Sequence, residues 1–188
     1  YTLVTSHFGE MSAKDVDDLV SQKLNMFGVL GHTRAATGKV KLDPRTNHPL
    51  ESRNFILAHN GILLNHAKVH STLSLPTDLP AVDSWTILAG IESIARETSI
   101  ELAIEEVCNM LLGQFACWLV HKHTKSVYLF TNMPPIYIRI NGSKSELNVI
   151  TFSSTEFEDS HKLTSGEIFR VREGKVNMVG WFRVQKHY

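Results

Sequence analysis

Cysteine is scarce in this sequence: 188 residues contain only two, Cys108 and Cys117. Two are too few for a disulfide framework, and both lie among apolar neighbours, so a reducing, cytoplasmic setting is expected. Charge excess is absent too, because 19 Lys+Arg balance 19 Asp+Glu. A nucleic-acid binder would normally carry a basic surplus, and Lys122, Lys125 and Lys144 are scattered, so no nucleic-acid partner is expected. No apolar run is long enough to span a bilayer, and no basic, hydrophobic leader pattern opens the chain; no membrane partner is expected either. There are no repeats and no low-complexity segments. The first residue is Tyr1 rather than Met, which raises the expectation of a processed chain or a piece of a longer polypeptide.

What is present is an ordinary globular composition, 43% hydrophobic and 20% charged. The length suits one sizeable core, so residues 1–188 are expected to form a single domain. Residues 1–5 read as a strand, and Ser12 can cap a helix over 13–25 with Asp15, Asp17 and Asp18 early in it. Residues 27–32 read as a short buried strand. Residues 38–52, with Pro44 and Pro49, read as a surface loop. Residues 55–59 form another apolar run, ending in Asn60-Gly61, a strong turn signal. Residues 65–73 look helical. Asp83 opens a helix with Trp85, Ile87, Leu88, Ile91 and Ile94 on one face, and Ser99 caps the next, with a stripe of Leu102, Ile104, Val107, Met110 and Leu111. From Gly113 onward the period changes to that of strands. Residues 115–121 and 126–131 form a hairpin, followed by strands at 136–140, 147–152, 167–171 and 175–179, with tight turns at Asn141-Gly142 and Glu173-Gly174. Helices followed by antiparallel strands predict an α+β domain.

Three segments carry chemistry. Gly31-His32-Thr33-Arg34-Ala35-Ala36-Thr37-Gly38 follows an apolar run. A guanidinium there can hold a carboxylate with two parallel N–H bonds, or can form a surface salt bridge. Asn47-His48-Pro49-Leu50 precedes Phe55-Ile56-Leu57-Ala58-His59-Asn60-Gly61-Ile62-Leu63-Leu64-Asn65-His66. A side-chain amide followed by a glycine N–H at a strand end can form an oxyanion hole, or the pair can be a hairpin turn. In Ala81-Val82-Asp83-Ser84-Trp85, Asp83 is either a helix N-cap or a fixed anion at a site.

Taken together and in this order, the segments resemble the class II glutamine amidotransferases, among them the glutaminase half of glucosamine-phosphate synthase. Gly113-Gln114-Phe115-Ala116, Phe152-Ser153-Ser154 and Leu163-Thr164-Ser165-Gly166-Glu167-Ile168 extend the resemblance over nearly the whole chain. It implies the N-terminal-nucleophile αββα sandwich of two antiparallel sheets, here without the family's first strands. It also implies a reaction. An N-terminal cysteine, with its own α-amino group as base, attacks the side-chain amide carbon of glutamine; ammonia leaves and water hydrolyses the thioester. Carried onto this sequence, Arg34 clamps the substrate α-carboxylate, Thr37 lines the same end and His48 the neighbouring wall. Asp83 pairs with the α-ammonium, and Asn60 and Gly61 hold the oxyanion. Glutamine is the implied ligand, and an ammonia-acceptor domain or the N-terminal segment bearing the nucleophile is the implied partner.

The sequence departs from that pattern at one decisive place. The family's Cys-Gly start and Arg-Gly-x-Asp-Ser segment do not occur, so the domain is expected to be N-terminally incomplete; if it is not, it is a binding or structural module without catalysis. Cys108 and Cys117 read as inert core thiols. Ala35 stands where many members of the family have Trp, which opens one wall of the pocket. His66 with His70, and His121 with His123, lack a convincing third ligand, so neither a metal nor any other cofactor is expected, and His121 to His123 reads as an exposed turn. Trp118 and Trp181 read as core or edge packing.

Overall fold

The computed structural model of the chain describes residues 28, 30–32, 44–80, 82–142 and 148–185. The strand expected at 1–5 and the helix at 13–25 lie outside the described residues; of the strand expected at 27–32, residues 27 and 29 lie outside them, and residues 28 and 30–32 are not in a strand.

Among the described residues, nine strands and three helices follow a short 3₁₀ turn at Pro44–Thr46. Strand β1 is Leu50–Glu51, β2 is Phe55–Leu63, and helices α1 (His66–Thr72), α2 (Asp83–Ile94) and α3 (Ile100–Met110) come next. Strands β3 (Gly113–His121), β4 (Ser126–Asn132), β5 (Tyr137–Asn141), β6 (Val149–Ser153), β7 (His161–Lys162), β8 (Glu167–Arg172) and β9 (Lys175–Trp181) complete the described elements. They build a six-stranded sheet in the order β1-β2-β3-β4-β8-β9 and a three-stranded sheet in the order β6-β5-β7, with every pairing antiparallel.

Strand alternation sorts the large sheet's side chains into two cores. Phe55, Leu57 and Leu63 of β2, Phe115, Cys117 and Leu119 of β3, and Tyr128 and Phe130 of β4 face the helices. There they meet Ile87, Leu88 and Ile91 of α2 and Ala103, Ile104 and Val107 of α3. Ile56, Ala116, Val120, Val127 and Leu129 face the other way, onto Ile136, Ile138 and Leu163 beneath the small sheet. The described residues are therefore stacked as helices, large sheet, small sheet, consistent with the α+β sandwich of two antiparallel sheets that the family resemblance implies.

Several local expectations need correction. Asn60-Gly61 is not a hairpin turn: β2 runs through it to Leu63, with Asn60 opposite Ala116 and Gly61 opposite Phe115. The loop at 38–52 contains β1, and Leu50 is buried against Leu57 of β2. Asn141-Gly142 is not a tight turn, because β5 ends at Asn141 and β6 begins only at Val149. Glu173-Gly174 does turn tightly between β8 and β9, with both residues at positive φ. Ser99 caps α3 as expected, accepting a hydrogen bond from Leu102 N–H at 3.2 Å. Leu102 itself leaves the apolar stripe and is 50% exposed. It shares the outer side of the helix with Glu105 and Glu106, while residues 103, 104, 107 and 108 face the sheet. Trp118 packs against the inter-sheet core, whereas Trp181, at the end of the edge strand, is 64% exposed. His121 belongs to β3 rather than to an exposed turn, its Nδ1 lying 2.9 Å from Thr124 Oγ1.

Leu57 is completely buried between β2 and the helices. Leu57→Ala is expected to lower stability by about 2–5 kcal/mol through lost burial and the cavity left behind. Urea unfolding followed by circular dichroism measures this, and a change below about 1 kcal/mol would contradict the core assignment.

Candidate functional site

The second half of β2 is shaped by two glycines, its own Gly61 and Gly113 of β3. Gly61 has φ +144°, and a Cβ there would stand 2.0 Å from the carbonyl oxygen of Gln114 on β3. Gly113, opposite Leu63, has φ +132°, and its Cβ would fall 2.3 Å from Ile62 O. Both strands thus use glycine where the two backbones come too close for a side chain. Asn60 is exposed on the strand just before this pinch.

Leu63 ends β2 beside the first turn of α2. Its N–H donates to Asp83 Oδ2 at 3.1 Å, and Ser84 N–H donates to Asp83 Oδ1 at 2.9 Å. The N-cap reading of Asp83 therefore fails: Val82, in extended conformation, is the N-cap, and Asp83 is the first helical residue. Its carboxylate joins the helix start to the strand end, and its side chain stays 24% exposed. A carboxylate has about four lone-pair sites, so capacity remains for a further donor.

His59 is two residues before Gly61 and points to the helix side of the sheet. Its Nδ1 lies 2.9 Å from Ser84 Oγ and 3.9 Å from Asp83 Oδ1. On the other side of the same hydroxyl, His48 Nε2 lies 3.0 Å away. Trp85 Nε1–H donates to Arg45 O at 2.8 Å, strapping the segment that carries His48 across the start of α2. His32 stacks at a tilt on His48, with ring centroids 4.6 Å apart. The start of the Gly31-His32-Thr33-Arg34 segment thus stands against the same cluster.

The structure brings His48 and Asp83 together through Ser84, at the end of the strand that carries Asn60 and Gly61. Strand alternation sends Asn60 to the opposite sheet face from His59. Arg34 and Thr37 lie outside the described residues. Nothing in the sequence assigns a role to His32, His59 or Ser84; the signals that point to the latter two are the shared parity of His59 with Phe55 and Leu57 and the place of Ser84 in the first turn of α2. Among the described residues, no three His, Cys, Asp or Glu side chains are grouped to hold a metal ion. His66 and His70 are engaged locally, with Nδ1 of His66 at 3.4 Å from Leu63 O and Nε2 of His70 at 3.1 Å from Pro76 O. No helix among the described residues is long and apolar enough to cross a membrane.

Both cysteines are buried in the helix-side core. Burial pushes the thiols of Cys108 and Cys117 well above the ordinary range; at Cys117 the nearby Cys108 and Asp83 push in the same direction. A thiol held protonated and out of solvent is a poor nucleophile.

No protein-family model matches the chain. Two curated relatives are similar in sequence. Glutamine–fructose-6-phosphate aminotransferase (isomerizing) of Halalkalibacterium halodurans is 28% identical over 140 residues, covering 71% of this chain and 22% of that enzyme. Its counterpart from Helicobacter pylori is 29% identical over 126 residues, covering 64% and 21%. The chain therefore spans about a fifth of the length of these relatives. In fold, it is similar to glutamine phosphoribosylpyrophosphate amidotransferase from B. subtilis, with TM-score 0.59, 17% identity, and coverage of 79% of this chain and 34% of that one. A glutamine aminotransferase class-II domain protein from Silicibacter pomeroyi gives TM-score 0.55 at 14% identity, covering 72% of each chain. The structure described as the allosteric regulatory enzyme of purine biosynthesis gives 0.53 at 18%, covering 71% of this chain and 30% of that one.

Two outcomes are expected. Gly61→Ala should cost about 2 kcal/mol or more in urea unfolding, since it adds strain at positive φ and a clash with Gln114; a stability equal to that of the parent would refute the pinched strand. A thiol reagent at pH 8 should leave Cys108 and Cys117 unmodified in the folded protein and modify both in denaturant. Rapid labelling of either under native conditions would overturn their assignment to the core.

Proposed function

We propose, on the premise that sequence similarity and fold support a class II glutamine amidotransferase domain, that this chain binds free glutamine at the C-terminal end of β2. A zwitterionic amino acid calls for one fixed anion, one fixed cation and donors for its side-chain carbonyl. Asp83 is the anion, receiving the α-ammonium as a third donor beside Leu63 N–H and Ser84 N–H. Arg34 is the cation for the α-carboxylate, with Thr37 at the same end and His48 as the adjacent wall. We assign the Asn60 amide and the Gly61 N–H to the side-chain carbonyl, which requires the ligand to reach past the end of β2 because Asn60 faces away from His59; the two donors would stabilise an oxyanion there, and losing one such donor costs about 10²–10³-fold in rate. The observation that most supports this reading is the carboxylate of Asp83, which is part-exposed and fixed by two main-chain N–H groups at the end of the strand bearing Asn60-Gly61.

The activity we infer for such a site is hydrolysis of the glutamine amide, with ammonia passed to an acceptor domain. It requires a thiolate to attack the amide carbon, with release of ammonia and hydrolysis of the thioester by water. Both thiols of this sequence, Cys108 and Cys117, are buried, so that activity would need a nucleophile other than these two. The burial of both thiols also favours a second reading, a glutamine-binding module without catalysis. Ammonia release separates the two: it accompanies a chain extended by a Cys-Gly start and does not accompany the bare module.

Asp83→Asn and Arg34→Ala are each expected to weaken glutamine binding about 10–100-fold by calorimetry, as one charged hydrogen-bonding partner is lost. Unchanged affinity in either variant would remove that residue from the pocket.

A further inference from the structure

Ser84 is 3% exposed, and the reading above uses only its main-chain N–H. Its hydroxyl has three neighbours: His48 Nε2 at 3.0 Å, His59 Nδ1 at 2.9 Å and Asp83 Oδ1 at 3.4 Å. A hydroxyl has one proton to give and two lone pairs to receive. If the proton goes to Asp83, both imidazoles must present N–H groups to Ser84. If it goes to one imidazole, the other must present N–H. The two rings cannot both accept, so at least one of them must present N–H to Ser84, and a ring that accepts forces the other to donate. Their centroids are 6.5 Å apart in an edge-on arrangement, and the serine oxygen is the atom common to both.

We propose that Ser84 is a positioning residue of the glutamine pocket: its hydroxyl fixes the tautomer and the orientation of His48 relative to Asp83. This rests on the glutamine reading for its consequence, but not for its geometry. The elements it joins are otherwise separate in sequence. His48 comes from the segment before β1, His59 from the middle of β2, and Ser84 from the first turn of α2. One hydroxyl therefore registers the wall of the pocket against the anion that receives the α-ammonium. Ser84→Ala keeps the N–H that donates to Asp83, so the carboxylate retains its main-chain donors and only the junction is removed.

The test has two readouts. The first is the ¹⁵N shifts of the imidazole nitrogens in histidine-labelled protein, assigned with His48→Gln and His59→Gln; these report the tautomer of each ring. The second is the affinity for glutamine. Ser84→Ala is expected to change the ¹⁵N pattern of both His48 and His59 and to weaken glutamine binding about tenfold, the size of one lost hydrogen bond to a pocket group. Ser84→Thr, which keeps the hydroxyl, is expected to restore the parent pattern and bring affinity back to within about threefold. If Ser84→Ala does not fold, Ser84→Cys keeps the volume with a weaker donor and should show the same two changes. Unaltered imidazole signals in a folded variant overturn the proposal, as does an affinity equal to that of the parent despite altered signals. Should the parent protein not bind glutamine, the functional reading falls, while the imidazole signals still decide whether Ser84 sets the two rings.

Discussion

The antiparallel ladder between β2 and β3 is the constraint on which the rest of the structure depends. It extends without a break from Phe55 opposite His121 to Leu63 opposite Gly113. Through it the helix-side core and the inter-sheet core are built on alternate residues of the same two strands. It also carries β2 past Asn60-Gly61, where a side chain at 61 would collide with the β3 backbone. That continuation delivers Leu63 to Asp83, and so fixes the start of α2 against the sheet. Without the pinch, the strand end and the helix start would have no common carboxylate.

Polar groups inside this junction would be costly if unmatched. His59 and Ser84 are both buried. A buried hydroxyl or imidazole is tolerated when its hydrogen bonds are made, and here Ser84 meets His48 and His59. An aliphatic core at the same place would hold β2 against α2 equally well. A polar one sets the rotation of each ring as well as its contact. A buried carboxylate elsewhere on α2 shows the contrast. Glu92 of α2 receives Ser52 Oγ–H at 2.6 Å and Asn54 Nδ2–H at 2.6 Å, a closed set that ties the β1–β2 loop to the helix.

Much of the fold was legible because its elements are long and strongly patterned. The runs at 55–59, 115–121 and 126–131 became β2, β3 and β4, and Ser99 marked the start of α3. What the sequence hid is set by pairing rather than by local preference. Asn-Gly favours a turn in isolation, yet a partner strand laid across both residues keeps them extended. Strands β1 and β7 have two residues each, too few for a period to appear. Leu102 joined the apolar stripe in sequence but sits on the outer side of α3, where no sheet covers it. At the site, Asp83 stood out because a lone acid opened a helix, and Asn60 because of its motif. Ser84 and His59 did not, since a serine and a histidine are ordinary residues until three segments fold onto one hydroxyl.

The most direct measurement of the central claim is a crystal structure of the protein with glutamine at saturating concentration. The account predicts density at the C-terminal end of β2, with the α-ammonium within about 2.7–3.2 Å of Asp83 and the side-chain carbonyl against Asn60 and Gly61. Glutamine bound elsewhere, or an empty β2 end at saturation, would contradict it.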